Sequence, residues 1–214
     1  INGRTGSVAT IPVGENPIAF AKINSTIYTA NTADNSVSAI TSIKQKVTKI
    51  NVGGSPTDIV SLNAKLFVAN YTGNTVSIID TNNGNSVTTV AVGTSPTDLA
   101  VLGSMVYVAS ANSNDVWVID SISNNVSSVS VGSPTNSVAV LGTKVYATNY
   151  AKNTVSIIDT ASANSVSSVA VGEGPSNLAV FGTKIYVANY YTNTISVINP
   201  QNVNQVLVLT VGNG

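Results

Sequence analysis

The sequence contains no cysteine and no histidine. Missing thiols exclude disulfides and cysteine nucleophiles, and together the two absences exclude Ser-His-Asp and Cys-His catalytic arrangements and metal centres built on imidazole or thiolate. Charge is scarce as well: nine Lys plus Arg balance nine Asp plus Glu, and charged residues make up 8% of the 214, against about 25% in ordinary soluble domains. A sparse, balanced charge without a basic run disfavours nucleic acid and anionic lipid as partners. No apolar run reaches the roughly 20 residues of a membrane-spanning helix, so membrane insertion is not expected. No glycine-rich phosphate loop of the GxGxxG or GxxxxGK[ST] type occurs, and no cofactor is expected. Ile1 opens no signal-peptide pattern, and the expectation is a mature, exported chain whose leader has been removed.

What the chain does have is a 43% apolar fraction, with Asn, Ser and Thr supplying the polar surface. That composition belongs to a globular chain, because disorder requires low hydrophobicity and high net charge. It also has a repeat. Residues 74–80 read Asn-Thr-Val-Ser-Ile-Ile-Asp, and residues 153–159 repeat those letters without change. Substituted copies occupy 35–41, 114–120 and 193–199, which sets a period of about 40. Val-Gly pairs ending at Gly14, Gly53, Gly93, Gly132, Gly172 and Gly212 are spaced 39, 40, 39, 40 and 40 residues apart. The first five are followed within three residues by Pro17, Pro56, Pro96, Pro134 and Pro175, so each unit passes through a Gly/Pro turn from one strand to the next.

Within the unit from Gly93 to Gly132, four short runs rich in Val, Ile and Tyr lie at 98–102, 105–109, 115–119 and 126–131, separated by turn residues. No stretch carries a 3.6-residue apolar period, so the chain is read as all-β. Four antiparallel strands per 40 residues is the pattern of a β-propeller blade. The expected fold is a five-bladed β-propeller in one domain, 1–214, with blades near 14–52, 53–92, 93–131, 132–171 and 172–214. Neither end carries a polar cap, which favours a closed ring over an open stack. Residues 6–13 form one strand too many, a surplus outer strand that could pair with another chain and link subunits into an oligomer or filament. Extension of a blade to five strands, or membership of a larger ring, are the other readings of that segment.

The second strand and its exit read Tyr28-Thr29-Ala30-Asn31, Phe67-Val68-Ala69-Asn70, Tyr107-Val108-Ala109-Ser110, Tyr146-Ala147-Thr148-Asn149 and Tyr186-Val187-Ala188-Asn189. This resembles the YVTN family of β-propeller repeats, found in surface-layer and other exported proteins of archaea and bacteria. The resemblance implies a propeller at the cell surface or outside the cell, noncatalytic, structural or interacting in role, with a protein or glycan partner.

Chemistry, if present, rests on carboxylates. Two residues after each blade Pro stand Ala19, Asp58, Asp98, Asn136 and Asn177, which would ring one mouth of the central channel. Such a ring could hold a hard cation or, through Asp58 and Asp98, serve a glycosidase or lactonase; the favoured reading is that each side chain accepts N–H groups of its own turn. Asp80, Asp120, Asp159 and Asn199 end the third strands as turn residues. Asn35, Asn74, Asn114, Asn153 and Asn193 are expected in the left-handed conformation between strands two and three. The aromatic at Tyr28, Phe67, Tyr107, Tyr146 and Tyr186 is read as packing between blades. Candidate recognition residues are Tyr71, Tyr150, Tyr190 and Tyr191, in the turns on one face of the disc, where folding does not require aromatics; a carbohydrate-binding adhesin is the alternative they raise. Candidate glycosylation acceptors are Asn24, Asn70 and Asn125. Lys44, Lys46 and Lys49 protect an outer edge. The low charge would also suit acidic surroundings, with stability expected to persist from neutral pH to about 3.

Overall fold

The computed structural model describes residues 10–41, 46–203 and 205–212. Twenty strands form five four-stranded antiparallel sheets, each built from consecutive strands. They are β1–β4, β5–β8, β9–β12, β13–β16 and β17–β20, and each sheet is one propeller blade. In the third blade the strands are Pro96–Leu102, Met105–Ser110, Asp115–Asp120 and Val126–Ser130, within two residues of the expected runs.

The repeated heptapeptide shows how one blade is assembled. Asn74 has φ 54°, a left-handed turn that Asn adopts more readily than most residues. From there β7 (Thr75–Asp80) alternates sides: Val76 and Ile78 pack toward the third blade, whereas Ile79 packs toward the first. Thr75 and Ser77 point inward to the amide of Asn70, whose Nδ2 donates to both hydroxyls at 3.0 and 2.9 Å. Gly53 N in turn donates to Ser77 Oγ at 3.2 Å. Strands two and three and the connection entering the blade are thereby tied at one point. The same knot recurs at Asn31 with Ser36 and Ser38, and at Asn189 with Thr194 and Ser196. It also explains the Val-Gly pair, because a Cβ on Gly53 would stand 2.6 Å from the Asn70 amide. In the third blade, Ser110 and Trp117 replace the Asn and Ser, and Trp117 Nε1 donates instead to Ser113 Oγ at 3.2 Å.

Asp80, Asp120, Asp159 and Asn199 behave as expected, each accepting the N–H two residues on at 2.8–3.1 Å. Asn35, Asn153 and Asn193 share the positive φ of Asn74. Asn114 does not; the third blade turns there without a left-handed Asn, and its carbonyl accepts from Val131 N and Gly132 N.

Blades stack through four apolar layers, one for each successive pair. Tyr28, Phe67, Tyr107 and Tyr146 are buried in them as expected. The inner strands β1, β5, β9, β13 and β17 pack in series, but no comparable packing joins β17 to β1. The expected closure into a ring is therefore not seen. Among the described residues the blades form an open arc with two uncovered ends, because repetition along a chain provides neighbours for every unit except the first and last. Of the surplus strand expected at 6–13, residues 6–9 fall outside the described residues and residues 10–13 are not strand; the outer strand of the last blade is β20 (Val206–Thr210).

Candidate functional site

Two groups of side chains stand out from the repeat: a polar row along the inner strands and an aromatic ledge on one face.

The polar row is where the channel acids were expected, but its work lies between blades. Asp58 Oδ2 accepts the N–H of Leu99, on the next blade, at 2.9 Å. Asp98 Oδ2 accepts Val138 N at 2.8 Å and Ser137 Oγ at 2.6 Å, again on the next blade. Ser137 Oγ is placed to accept Leu178 N at 3.4 Å and contacts Asn177 Oδ1 at 3.2 Å. Each acid also serves its own turn, Asp58 by accepting Ile59 N and Asp98 by accepting Leu99 N at 3.0 Å through Oδ1. The expected Asn136 is not the residue in register. Pro134 stands one position earlier after its Gly than the other blade prolines, whereas Ser137 lies five residues after Gly132 as Asp98 lies five after Gly93, so Ser137 occupies the position of Asp98. In the first blade Ala19 stands there and has no side-chain acceptor.

Burial, reinforced by the negative charge of Asp98, pushes the Asp58 carboxyl up to about 7. A carboxyl raised this far is a feature of acid-base sites. Here the same oxygens are engaged by the main chain of the adjoining blade, and among the described residues no third acid joins the pair in a metal-holding cluster.

The aromatic ledge lies between the fourth and fifth blades. Tyr150 follows β14 (Lys144–Asn149) and opens a short 3-10 turn, whereas Tyr190 and Tyr191 follow β18 (Lys184–Asn189). The rings of Tyr150 and Tyr191 are 5.7 Å apart and tilted, and those of Tyr190 and Tyr191 meet edge-on at 5.2 Å. A hydrogen bond with Tyr191 raises the Tyr150 hydroxyl above its ordinary value. The cluster sits on Gly174, with φ 65°, where a Cβ would come within 2.7 Å of Tyr191 Cδ2. Tyr190 N donates to Gly174 O at 2.9 Å and Tyr191 N to Glu173 O at 3.2 Å, which anchors the turn that carries both rings. Tyr190 and Tyr191 remain 68% and 62% exposed. This is an apolar surface with hydroxyl rims, held by backbone bonds and facing water.

Three of the four expected tyrosines are thus brought together. Tyr71 is not among them; it sits half-buried at the top of the second blade without an aromatic neighbour among the described residues. Of the glycosylation acceptors, Asn24 and Asn125 are exposed. Asn70 is fully buried and its amide holds the blade knot, so it is no open acceptor in the folded chain. Lys49 pairs with Asp34 at 3.2 Å on the outer edge, and Lys44 lies outside the described residues. Gly174 was missed at sequence level; its signal was a Gly where two other blades have a Ser with positive φ, Ser55 and Ser95.

No protein-family model and no curated protein matches the sequence. Solved structures do. Virginiamycin B lyase from Staphylococcus aureus matches with a TM-score of 0.79 at 12% identity, over 92% of this chain and 71% of that one. A chain of the nidogen/laminin complex matches with a TM-score of 0.70 at 11% identity, over 92% and 81%. PorZ, a surface component of the type-IX secretion system of Porphyromonas gingivalis, matches with a TM-score of 0.71 at 12% identity, over 94% and 29%. At such identities the likeness shows the fold, and the fold is a β-propeller.

Proposed function

We propose that this chain is a noncatalytic propeller of an exported, cell-surface or extracellular assembly, and that it binds a protein partner through the ledge of Tyr150, Tyr190 and Tyr191. The observation that carries the reading is the exposure of two contacting tyrosines at 68% and 62% on a turn fixed by main-chain bonds. Rigid tyrosine surfaces lose little conformational entropy on binding and are enriched at protein interfaces. The resemblance to YVTN repeats supports an exported setting, and two matching structures come from a surface component and a protein complex. Against enzymatic use of the same fold, a catalytically inactive form of the matching lyase carries a histidine-to-alanine substitution, and this chain contains no histidine.

A photo-crosslinking residue placed at position 190, in the source organism, tests the proposal. The expected outcome is a discrete protein adduct, absent when the same residue is placed at Asn85, in the turn before β8 (Ser86–Ala91), together with recovery of the chain in the surface or secreted fraction. Binding on a glycan array that Tyr190→Ala abolishes would replace the protein partner with a carbohydrate. A hydrolytic activity lost in Asp58→Asn with the fold intact would end the noncatalytic reading.

A further inference from the structure

Folding puts the three acceptor sequons in different surroundings. Within each blade the strands run alternately up and down, so the turns from first to second and from third to fourth strand open on one face of the disc. The turns from second to third strand, which carry the tyrosine ledge, open on the other. Asn24 lies in the turn joining β1 (Pro17–Ile23) to β2 (Thr26–Asn31), and Asn125 ends the turn joining β11 (Asp115–Asp120) to β12 (Val126–Ser130). Both therefore stand on the face opposite the ledge. Asn70 ends β6 (Lys65–Asn70) on the ledge's own face, and there it is buried in the knot.

The two open sequons sit on turns that present them. Asn24 is exposed at φ 52°, in the left-handed conformation of a tight turn. The turn that ends at Asn125 is held by its main chain: Asn124 N donates to Asp120 O at 2.8 Å, Asp120 N to Asn125 O at 3.0 Å, and Asn125 N to Ser123 Oγ at 3.2 Å. Lys65 Nζ, from the preceding blade, donates to Ser121 O at 2.6 Å and Asn124 Oδ1 at 3.2 Å. Asn125 itself is exposed, as is Ser127, the hydroxyl residue of its sequon. In the same turn Ile122 is 79% exposed, where other blades have Asn82, Ala161 and Gln201.

We propose that Asn24 and Asn125 carry N-linked oligosaccharide and Asn70 does not, so that sugar covers the face opposite the ledge, shields Ile122 and leaves the ledge open to its protein partner. The inference rests on the exported setting proposed above, because sequon glycosylation belongs to exported chains. The donor class is an oligosaccharide joined through phosphate to a polyprenyl lipid. The side-chain amide nitrogen bonds to the anomeric carbon, the bond from that carbon to the phosphate oxygen breaks, and the amide gives up one proton as the lipid phosphate leaves. At Asn70 the same step would destroy the knot. An Asn amide nitrogen has two hydrogens, and Asn70 Nδ2 donates to both Thr75 and Ser77; glycosylation removes one of them and adds a sugar where no surface is exposed.

The test is peptide and intact-mass spectrometry of the chain purified from its source organism, with the cell fraction recorded. Peptides containing Asn24 and Asn125 are expected to carry sugar and the peptide containing Asn70 to be bare. Asn24→Gln and Asn125→Gln should each remove one glycan mass. Ser127→Ala should remove the glycan of Asn125 with that Asn still present, and Ser127→Thr should keep it. The double variant Asn24→Gln/Asn125→Gln should retain the crosslinked adduct at position 190, because the sugars lie on the other face. Bare Asn24 and Asn125, sugar on Asn70, or loss of that adduct in the double variant overturns the inference. A bare chain recovered from the surface or secreted fraction leaves the proposed function standing, whereas a bare chain confined to the cytosol ends both.

Discussion

Phe67 and Tyr186 occupy the same place in the second strand of their blades. Phe67 is fully buried against the third blade, and Tyr186 is half-buried at the end of the arc. The contrast extends to both end blades: Ile59 and Leu66 are buried where Phe20 and Ile27 of the first blade are exposed, and Ala69 is buried where Ala188 of the last is exposed. Local sequence builds the blade in both places, down to the knot of Asn, Ser and Gly, but burial comes from the neighbour. In a propeller the strand pattern specifies a face, and only the adjacent blade turns that face into core.

The sharpest way to break this comparison is to delete the aromatic at both places. Phe67→Ala should cost about 3–5 kcal/mol, the range for emptying a packed aromatic site, read as a fall in the denaturant midpoint. Tyr186→Ala in the same chain should cost less than about half as much. Equal losses would show that the last blade is covered in solution.

A second difference concerns the inner row, where the second blade has Asp58 and the first has Ala19. The folded-state carboxyl of Asp58 is raised to about 7 from an ordinary 3.8. The folded protein therefore holds this proton more tightly than the unfolded chain does. The contribution is fully present below the unfolded value, declines as pH rises between the two, and is gone above about 7. Asp58→Asn should remove a slope worth a few kcal/mol across that window, so that denaturation midpoints of parent and variant plotted against pH diverge on the acid side. Parallel curves would place the Asp58 carboxyl near its ordinary value. The sign agrees with a chain that keeps its fold in acid.

How much of this was legible beforehand depends on what each residue answers to. Strand identity, the Asx turns at Asp80, Asp120 and Asp159, and the inter-blade aromatics depend on neighbours within one repeat, and periodicity exposes them. The second role of Asp58 and Asp98 was not legible, because each holds the following blade as well as its own turn. Counting from Pro134 leads to Asn136, because this Pro stands one position earlier in its connection than the others, whereas counting five from Gly132 leads to Ser137. Ring closure is not legible for a related reason: the end faces have the same apolar pattern as the inner ones, and the strand pattern does not say what covers them. The tyrosine ledge was visible only as four unexplained aromatics, and Gly174 decided which of them could meet.

A third substitution tests whether the knot inside a blade depends on its neighbours at all. Gly53→Ala places a Cβ 2.6 Å from the Asn70 amide, and Gly172→Ala places one 2.6 Å from that of Asn189. Both should cost about 1–3 kcal/mol, the range for forcing an extra carbon into a packed site, and by similar amounts despite the different burial of their blades. A much smaller cost at Gly172 in urea titrations would mean that the last blade is loosely made as well as uncovered.

The smallest effect isolates one hydrogen bond across a seam. Asn74 and Asn193 both hold left-handed turns, at φ 54° and 52°, so replacing either by Ala carries the same backbone cost of about 1 kcal/mol. Asn74 alone also accepts Ser95 N from the next blade, at 2.9 Å. The difference between Asn74→Ala and Asn193→Ala should therefore be about 0.5–1.5 kcal/mol, the net worth of one hydrogen bond. Measured in the 214-residue chain, that difference gives the seam bond directly.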